Sequence, residues 1–343
     1  MVKTILGAGV VVATTALTAT AGTIVLTVGP SQQFPTIAAA INTANRDANP
    51  ANYYVISVAP GAYTNDTATV SRPMTIKAAK AGTAVILDET APLPNQKGIL
   101  ISRAALTIDG LTFQRAYIAA SLGANGAAIR AEAGGQAYTL TVRNSRFIGN
   151  QTALLTDVNF PLDVVLTNNV FINQGNGYTN SLTHGIYIGS GNHSLTATGN
   201  EFCGTIVGHN IKSRATITVI KNNTLYAGAA DPNQPGCNIG SASYALDIPN
   251  GGVSVVSGNT IIQGRATQNP AMFAYGEEGL TYPKNSLSFT NNTMQNALEN
   301  ATGILDPHGV PVTGSGNSFA SSIATQVSPV SASQLTGDRT ATH

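Results

Sequence analysis

Val164-Val165-Leu166-Thr167-Asn168-Asn169-Val170-Phe171 is the stretch on which the fold turns. A β-rich run ends in an Asn pair, and a large apolar residue follows after one spacer. The pattern recurs along most of the chain. Asp109-Gly110 precedes Phe113, Asn144 precedes Phe147, Gly199-Asn200 precedes Phe202, and Asn222-Asn223 precedes Leu225. Gly258-Asn259 leads to Ile261, Asn291-Asn292 to Met294, and Gly316-Asn317 to Phe319. Successive copies lie 23 to 36 residues apart. A strand–turn unit repeated at that spacing is the signature of a solenoid, in which stacked coils bury a face that no coil can bury alone. Asn and Gly tolerate the left-handed backbone of a sharp turn. These Asn residues therefore read as stacked architecture, and the expected fold is all-β, a right-handed parallel β-helix.

Composition agrees. Only 10% of the 343 residues are charged and 43% are hydrophobic, with 35 Gly and no Trp. The surface must then be covered by Asn, Thr, Ser and Gln, which favour turns and caps over helix interiors. The formal net charge of +1 and the lack of a basic run give no footprint of a nucleic-acid binder. Acidic residues are too sparse for a clear calcium array, so calcium stays open as a cofactor without a site and no metal ligand is assigned.

The first 21 residues read as an export signal: Lys3, an apolar stretch from Ile5 to Leu17, and a small-x-small site at Ala19-Thr20-Ala21. No segment reads as a membrane span. A secreted or periplasmic monomer is expected. Cys203 and Cys237 are the only cysteines, and their spacing leaves open a bridge between coils or two buried thiols. The organisation read from the chain is a signal over 1–21, a cap and first coil over 22–75, the solenoid over 76–320, and a loose tail over 321–343.

Near the N-terminus, Phe34-Pro35-Thr36-Ile37 opens an amphipathic helix through Ala44, a capping helix for the solenoid. The strand Tyr54–Val58 and the turn Pro60-Gly61-Ala62-Tyr63 follow. This run resembles the N-terminal segment of pectinesterases and other parallel β-helix polysaccharide enzymes. The resemblance covers about 40 residues and implies the fold alone, since one cap serves many chemistries. The catalytic signatures of pectinesterases do not follow. Gly208-His209-Asn210 and Ile211-Lys212-Ser213-Arg214 resemble two polygalacturonase blocks run together, without the carboxylate blocks that hydrolysis needs. Asp306-Pro307-His308 matches a mannuronan epimerase motif in three residues, but it falls on nearly the last coil and is read as coincidence. His184–Gly189, Gly208–Ala215, Tyr244–Gly252 and Asn269–Gly279 together resemble an uncharacterised bacterial β-helix-repeat family.

One strand of each coil carries the chemistry. Ala127–Glu132, His184–Ser190, Gly208–Arg214, Tyr244–Pro249, Ala271–Glu277 and Thr302–His308 align. With Ile129, Ile186, Ile211 and Leu246 inward, alternation puts Arg130, Tyr187, Lys212 and Asp247 outward in one column. Arg214 lies on the same face. His184, His209 and Tyr244 align at the strand entrance, and Tyr275 and Asp306 are approximate additions to the outward column, where the register slips by one residue.

In a chain so poor in charge, this concentration marks the candidate site, and the flanking insertions Gly175–Thr183, Ala229–Ser241 and Gln263–Pro270 are expected to wall a groove there. Lys212, Arg214, Tyr187, His184 and His209 are the catalytic candidates. Arg130, Tyr244, Asp247, Tyr275 and Glu277 are the substrate-binding ones. The expected partner is an acidic polysaccharide. Arg214 would bind a uronate carboxylate, and Lys212, Tyr187, His184 or His209 would remove the acidified neighbouring proton. Elimination makes a lyase, and reprotonation from the opposite face a uronan C5-epimerase. A non-catalytic carbohydrate-binding or adhesin β-helix would use the same face. An ice-binding solenoid would need constant coils with Thr ladders, which the irregular spacing lacks.

Overall fold

The computed structural model describes residues 22–175 and 183–328, with the backbone alone for 334–340. The export-signal stretch lies outside these residues. A single coil shows the plan: strand Tyr138–Arg143, a corner at Asn144, strand Arg146–Ile148, then strand Thr152–Thr156. Every strand pairing is parallel and joins one coil to the next, as in Leu140–Val164–Leu195 and Phe147–Phe171–Phe202. The third strands of the coils form a separate ten-stranded sheet. The first two columns merge at the long strand Val312–Ala320, which turns the corner without a break and pairs with both. The chain is a right-handed parallel β-helix.

The Asn corners do what their chemistry permits. Asn168, Asn222 and Asn291 sit at φ 54°, and Gly199, Gly258 and Gly316 take the same corner at 67°, 68° and 71°. The following residue, Asn169, Asn200, Asn223, Asn259, Asn292 or Asn317, is buried. From Asn200 onward its carboxamide oxygen accepts from the backbone N–H and the side-chain amide of its counterpart on the coil before, and Asn169 Oδ1 accepts from Ser145 N. Asn223 Oδ1, for example, accepts from Asn200 N at 2.8 Å and Asn200 Nδ2 at 3.0 Å. Its own Nδ2 donates to Ala197 O and Asn259 Oδ1, both at 3.0 Å. The amide thus satisfies corner groups that would otherwise be buried unpaired. Beside this ladder the Phe rings of four coils stack at centroid spacings of 5.2, 4.9 and 4.2 Å.

The helix Ile37–Asn45 closes the N-terminal end. Thr36 Oγ1 caps it by accepting from Ala39 N at 3.1 Å. The Asp66 carboxylate accepts from Ile37 N and Ala38 N, and Ile37, Ala40, Ile41 and Ala44 face the core.

One feature differs from expectation, and one alternative left open by the sequence is resolved. The segment read as a loose tail contains strand Ile323–Ser328, which continues the ten-stranded sheet beside Ala301–Leu305, and strand Gln334–Thr340, which pairs with Val312–Ala320. Its Ser/Thr/Ala content hid the alternation of Ile323 and Val327, both buried. Cys203 and Cys237 form a disulfide, with Cα atoms 6.0 Å apart. It fastens the insertion at 229–241 to strand Glu201–Cys203. Among the described residues no helix is long and apolar enough to cross a membrane.

Candidate functional site

The ten-stranded sheet sets the site. Leu100, Ile129, Leu154, Ile186, Ile211, Leu246, Phe273 and Ile304 share one register and fill the core. The next residue on each strand points outward, giving the column Ile101, Arg130, Leu155, Tyr187, Lys212, Asp247, Ala274 and Leu305. The expected column is present, with one coil between Arg130 and Tyr187 that the sequence alignment passed over. On that coil Leu155 takes the outward place. Arg130 is thereby set apart, and it pairs with Asp157 at 3.4 Å.

His184, Tyr187, His209, Lys212, Arg214, Glu277 and Glu278, with Asn125 and Leu155, line a recess of about 550 Å³. A larger hollow of about 700 Å³ lies over Lys77, Asp109 and Arg146, away from this cluster. It gathers no comparable set of titratable groups, so the chemistry is placed in the smaller one.

The rings of His184, His209 and Tyr244 stack at 5.1 Å spacings, one per coil. Each imidazole is fixed by the backbone that follows. His184 Nδ1 accepts from His209 N, and His209 Nδ1 accepts from Tyr244 N, both at 3.1 Å. An accepting Nδ1 leaves the ring proton on Nε2. His209 Nε2 then points to Asp247 Oδ2 at 3.3 Å. Burial, then the nearby positive charges, hold both rings neutral. His184 is driven well below its ordinary range, and His209 falls to about 3. Both histidines are consequently donors at Nε2 and structural acceptors at Nδ1.

Under the recess lies Asp247, fully buried. Lys212 Nζ sits 2.8 Å from its Oδ2, an ion pair by distance that lacks hydrogen-bond alignment, and Oδ1 has no hydrogen-bond partner among the described residues. Burial pushes the Asp247 carboxyl up to about 7 against the pull of Lys212. For Lys212 itself burial opposes the charge, but Asp247 and Glu278 outweigh it and raise the ammonium above its usual value.

Above Asp247, Glu278 joins the two cations. Its Oε1 accepts from Lys212 Nζ at 3.1 Å, and Arg214 Nη2 donates to Oε1 and Oε2 at 2.7 and 2.6 Å. Partial burial would raise the Glu278 carboxyl, yet the bonds from Arg214 and Lys212 bring it below its usual range. Arg214 is also held from behind. Its Nη1 donates to Asn250 Oδ1 at 2.5 Å and its Nε to the Tyr187 hydroxyl at 3.1 Å. Tyr282 donates its hydroxyl to the Arg214 carbonyl.

The structure therefore brings together Tyr187, Lys212, Arg214, His184, His209 and Glu277, with Tyr244 and Asp247 as their supports. Tyr244 is buried and donates to Glu277 Oε2 at 2.8 Å. Tyr275 is a correction. It pairs in register with Ile248 and is fully buried, and its hydroxyl donates to Gly252 O at 2.5 Å. The column on that coil begins one residue earlier than the sequence alignment set it, because the insertion before Ala271 hides the strand start. Of the insertions expected to wall a groove, 229–241 packs over Asn173 and Glu201 on another face. The 263–270 insertion lines none of the recess, and most of the 175–183 insertion, residues 176–182, lies outside the described residues. The wall is instead Glu277 and Glu278, between Gly276 and Gly279, which take φ 72° and 111°. Two adjacent acids framed by glycines, just past a site strand, were the signal for Glu278. Among the described residues no group of three or more His, Cys, Asp or Glu is arranged to hold a metal ion.

No known family description and no curated protein sequence matches the chain. Among solved structures it is similar to a pectin methylesterase from Aspergillus niger, at 11% identity over 93% of this chain and 91% of that one, with a TM-score of 0.40. It is also similar to an alginate lyase from Paenibacillus sp. str. FPU-7, at 14% identity over 93% of this chain and 99% of that one, with a TM-score of 0.40. No residue role is carried over from either.

Proposed function

We propose that this recess binds a uronate-containing polysaccharide and cleaves it by β-elimination. One observation carries the reading. Arg214 and Lys212 together hold a carboxylate, that of Glu278, beside the Tyr187 hydroxyl. A uronate carboxylate in the same seat would meet the same two cations, and its neutralisation would acidify the proton on the adjoining carbon.

The base follows by elimination among the neighbours. Lys212 is held as an ammonium by Asp247 and Glu278. His184 and His209 have their free electron pairs on Nδ1, facing backbone N–H groups. Tyr187 remains. Its oxygen accepts from Arg214 Nε, and such a charge-assisted bond is strongest when the oxygen carries negative charge. In the step, the Tyr187 oxygen, its own proton having passed to solvent, takes the proton from the adjoining carbon. The electron pair of that C–H bond becomes the new C=C bond, and the bond to the glycosidic oxygen breaks. The departing oxygen takes up the abstracted proton from Tyr187. Hydrolysis by two carboxyl groups is poorly served, because Asp247 is sealed beneath Lys212 and cannot reach a glycosidic bond.

The test uses protein lacking its first 21 residues, with alginate, polygalacturonate and hyaluronan, followed by ultraviolet absorbance of unsaturated uronate ends. Tyr187→Phe is expected to abolish product while polymer is still retained on the protein, and Arg214→Ala to lose both. Product formation that survives Tyr187→Phe would refute the assignment of the base. Polymer retention with no product from any substrate would leave a binding face in place of a lyase.

A further inference from the structure

We infer that Glu278 is a built-in competitor for the substrate carboxylate, seated on Arg214 and Lys212 and displaced when an acidic sugar binds. The inference rests on the recess being a uronate site and adds how that site is regulated.

Three observations support it. First, the Glu278 side chain is 43% exposed while its partners Lys212 and Arg214 are 9% and 16% exposed. The carboxylate thus lies at the mouth and the cations lie below it. Second, each cation has a separate anchor. Lys212 keeps Asp247 at 2.8 Å, and Arg214 keeps Asn250 at 2.5 Å and Tyr187 at 3.1 Å. Departure of Glu278 would leave both cations aimed at the same seat, already organised.

Third, the backbone around Glu278 is tied down. Gly276 N donates to Ile248 O at 2.8 Å, Glu278 N to Pro249 O at 3.0 Å, and Thr281 N to Asn250 O at 3.1 Å. Rotation of one half-exposed side chain into solvent opens the seat, with no loop to rearrange. Adjacent Glu277 does not share this role, since its carboxylate is held by the Tyr244 hydroxyl.

A seat that is free only a tenth of the time weakens apparent affinity about tenfold. The experiment is a calorimetric titration of the folded protein with sodium galacturonate, with galactose as the uncharged control. Glu278→Ala is expected to bind galacturonate about tenfold more tightly than the parent protein, with no change toward galactose. Glu277→Gln removes one nearby negative charge and leaves the seat filled, so its gain should stay below about twofold. Unchanged or weaker galacturonate binding by Glu278→Ala, in protein with an unaltered circular dichroism spectrum, would overturn the inference. An equal gain in Glu277→Gln would also overturn it, as a general effect of charge. The two readings fail separately. Tighter binding in Glu278→Ala without unsaturated product refutes the lyase and supports the competitor, whereas product without tighter binding refutes the competitor alone.

Discussion

Replacing Lys212 by Met tests whether the charge beneath the recess is organised as described. Met keeps much of the stem volume and removes the ammonium. Asp247 then stays fully buried with no cation at 2.8 Å. In the parent protein burial already lifts Asp247 from the usual 3.8 to about 7. A carboxyl raised on folding contributes stability that is complete below its unfolded value and is lost as pH climbs through its folded value. The parent's loss from this group therefore levels off above about pH 7. Without Lys212 the folded value rises further, and the loss continues at about 1.4 kcal/mol for each pH unit.

Between about pH 7 and about pH 8.5 that amounts to roughly 2 kcal/mol, or a further drop of roughly 4 °C in the melting midpoint. At about pH 6 Asp247 is mostly protonated in both proteins, and the variant should lose only the part-exposed contact to Glu278, worth about 0–1 kcal/mol. The assay is thermal melting by circular dichroism at the two pH values, for parent, Lys212→Met, and Lys212→Met with Asp247→Asn. The reasoning predicts an extra loss at the higher pH that Asp247→Asn cancels. An equal loss at both pH values, or an extra loss that persists after Asp247→Asn, would refute it.

Four other outcomes follow from the same structure. Asn223→Ala removes the acceptor of Asn200 N, leaving that buried N–H unpaired, and takes one donor from Ala197 O, and should cost about 1–3 kcal/mol in melting experiments. Asn222→Gly, at the left-handed corner position with φ 54°, should change the midpoint little. Thiol titration of the unfolded, unreduced protein should find no free cysteine. Replacing Cys203 and Cys237 together by Ser should lower stability by about 3–4 kcal/mol, from a crosslink spanning 34 residues. The ring resonances of His184 and His209 should not titrate between about pH 5 and 8 and should report a bare Nδ1. Their depressed values mean that the stability they confer is present above about pH 6.5 and is lost as pH falls through their folded values, about 3 for His209.

Much of the fold was legible because a solenoid repeats one local decision. The Asn or Gly corner needs a left-handed residue, the next Asn needs a buried amide partner, and the Phe or Ile beyond needs a stack, so each coil writes its own signature. Alternation then sufficed to set Arg130, Tyr187, Lys212 and Asp247 in one outward column and to align His184, His209 and Tyr244, as the pairings show.

What tertiary structure alone decided depends on distances between coils. Insertions of unequal length precede the site strands, so a count along the chain cannot fix where each strand starts. That is why Leu155 was passed over and Tyr275 was set outward when it lies in the core. The charge state of the site depends on more than facing. Asp247 faces outward by alternation yet is sealed by Lys212. The histidines lose their role as bases because the backbone of the next coil donates to Nδ1. Glu278 reaches Arg214 across 64 residues of sequence, on an edge that exists only once the coils have stacked.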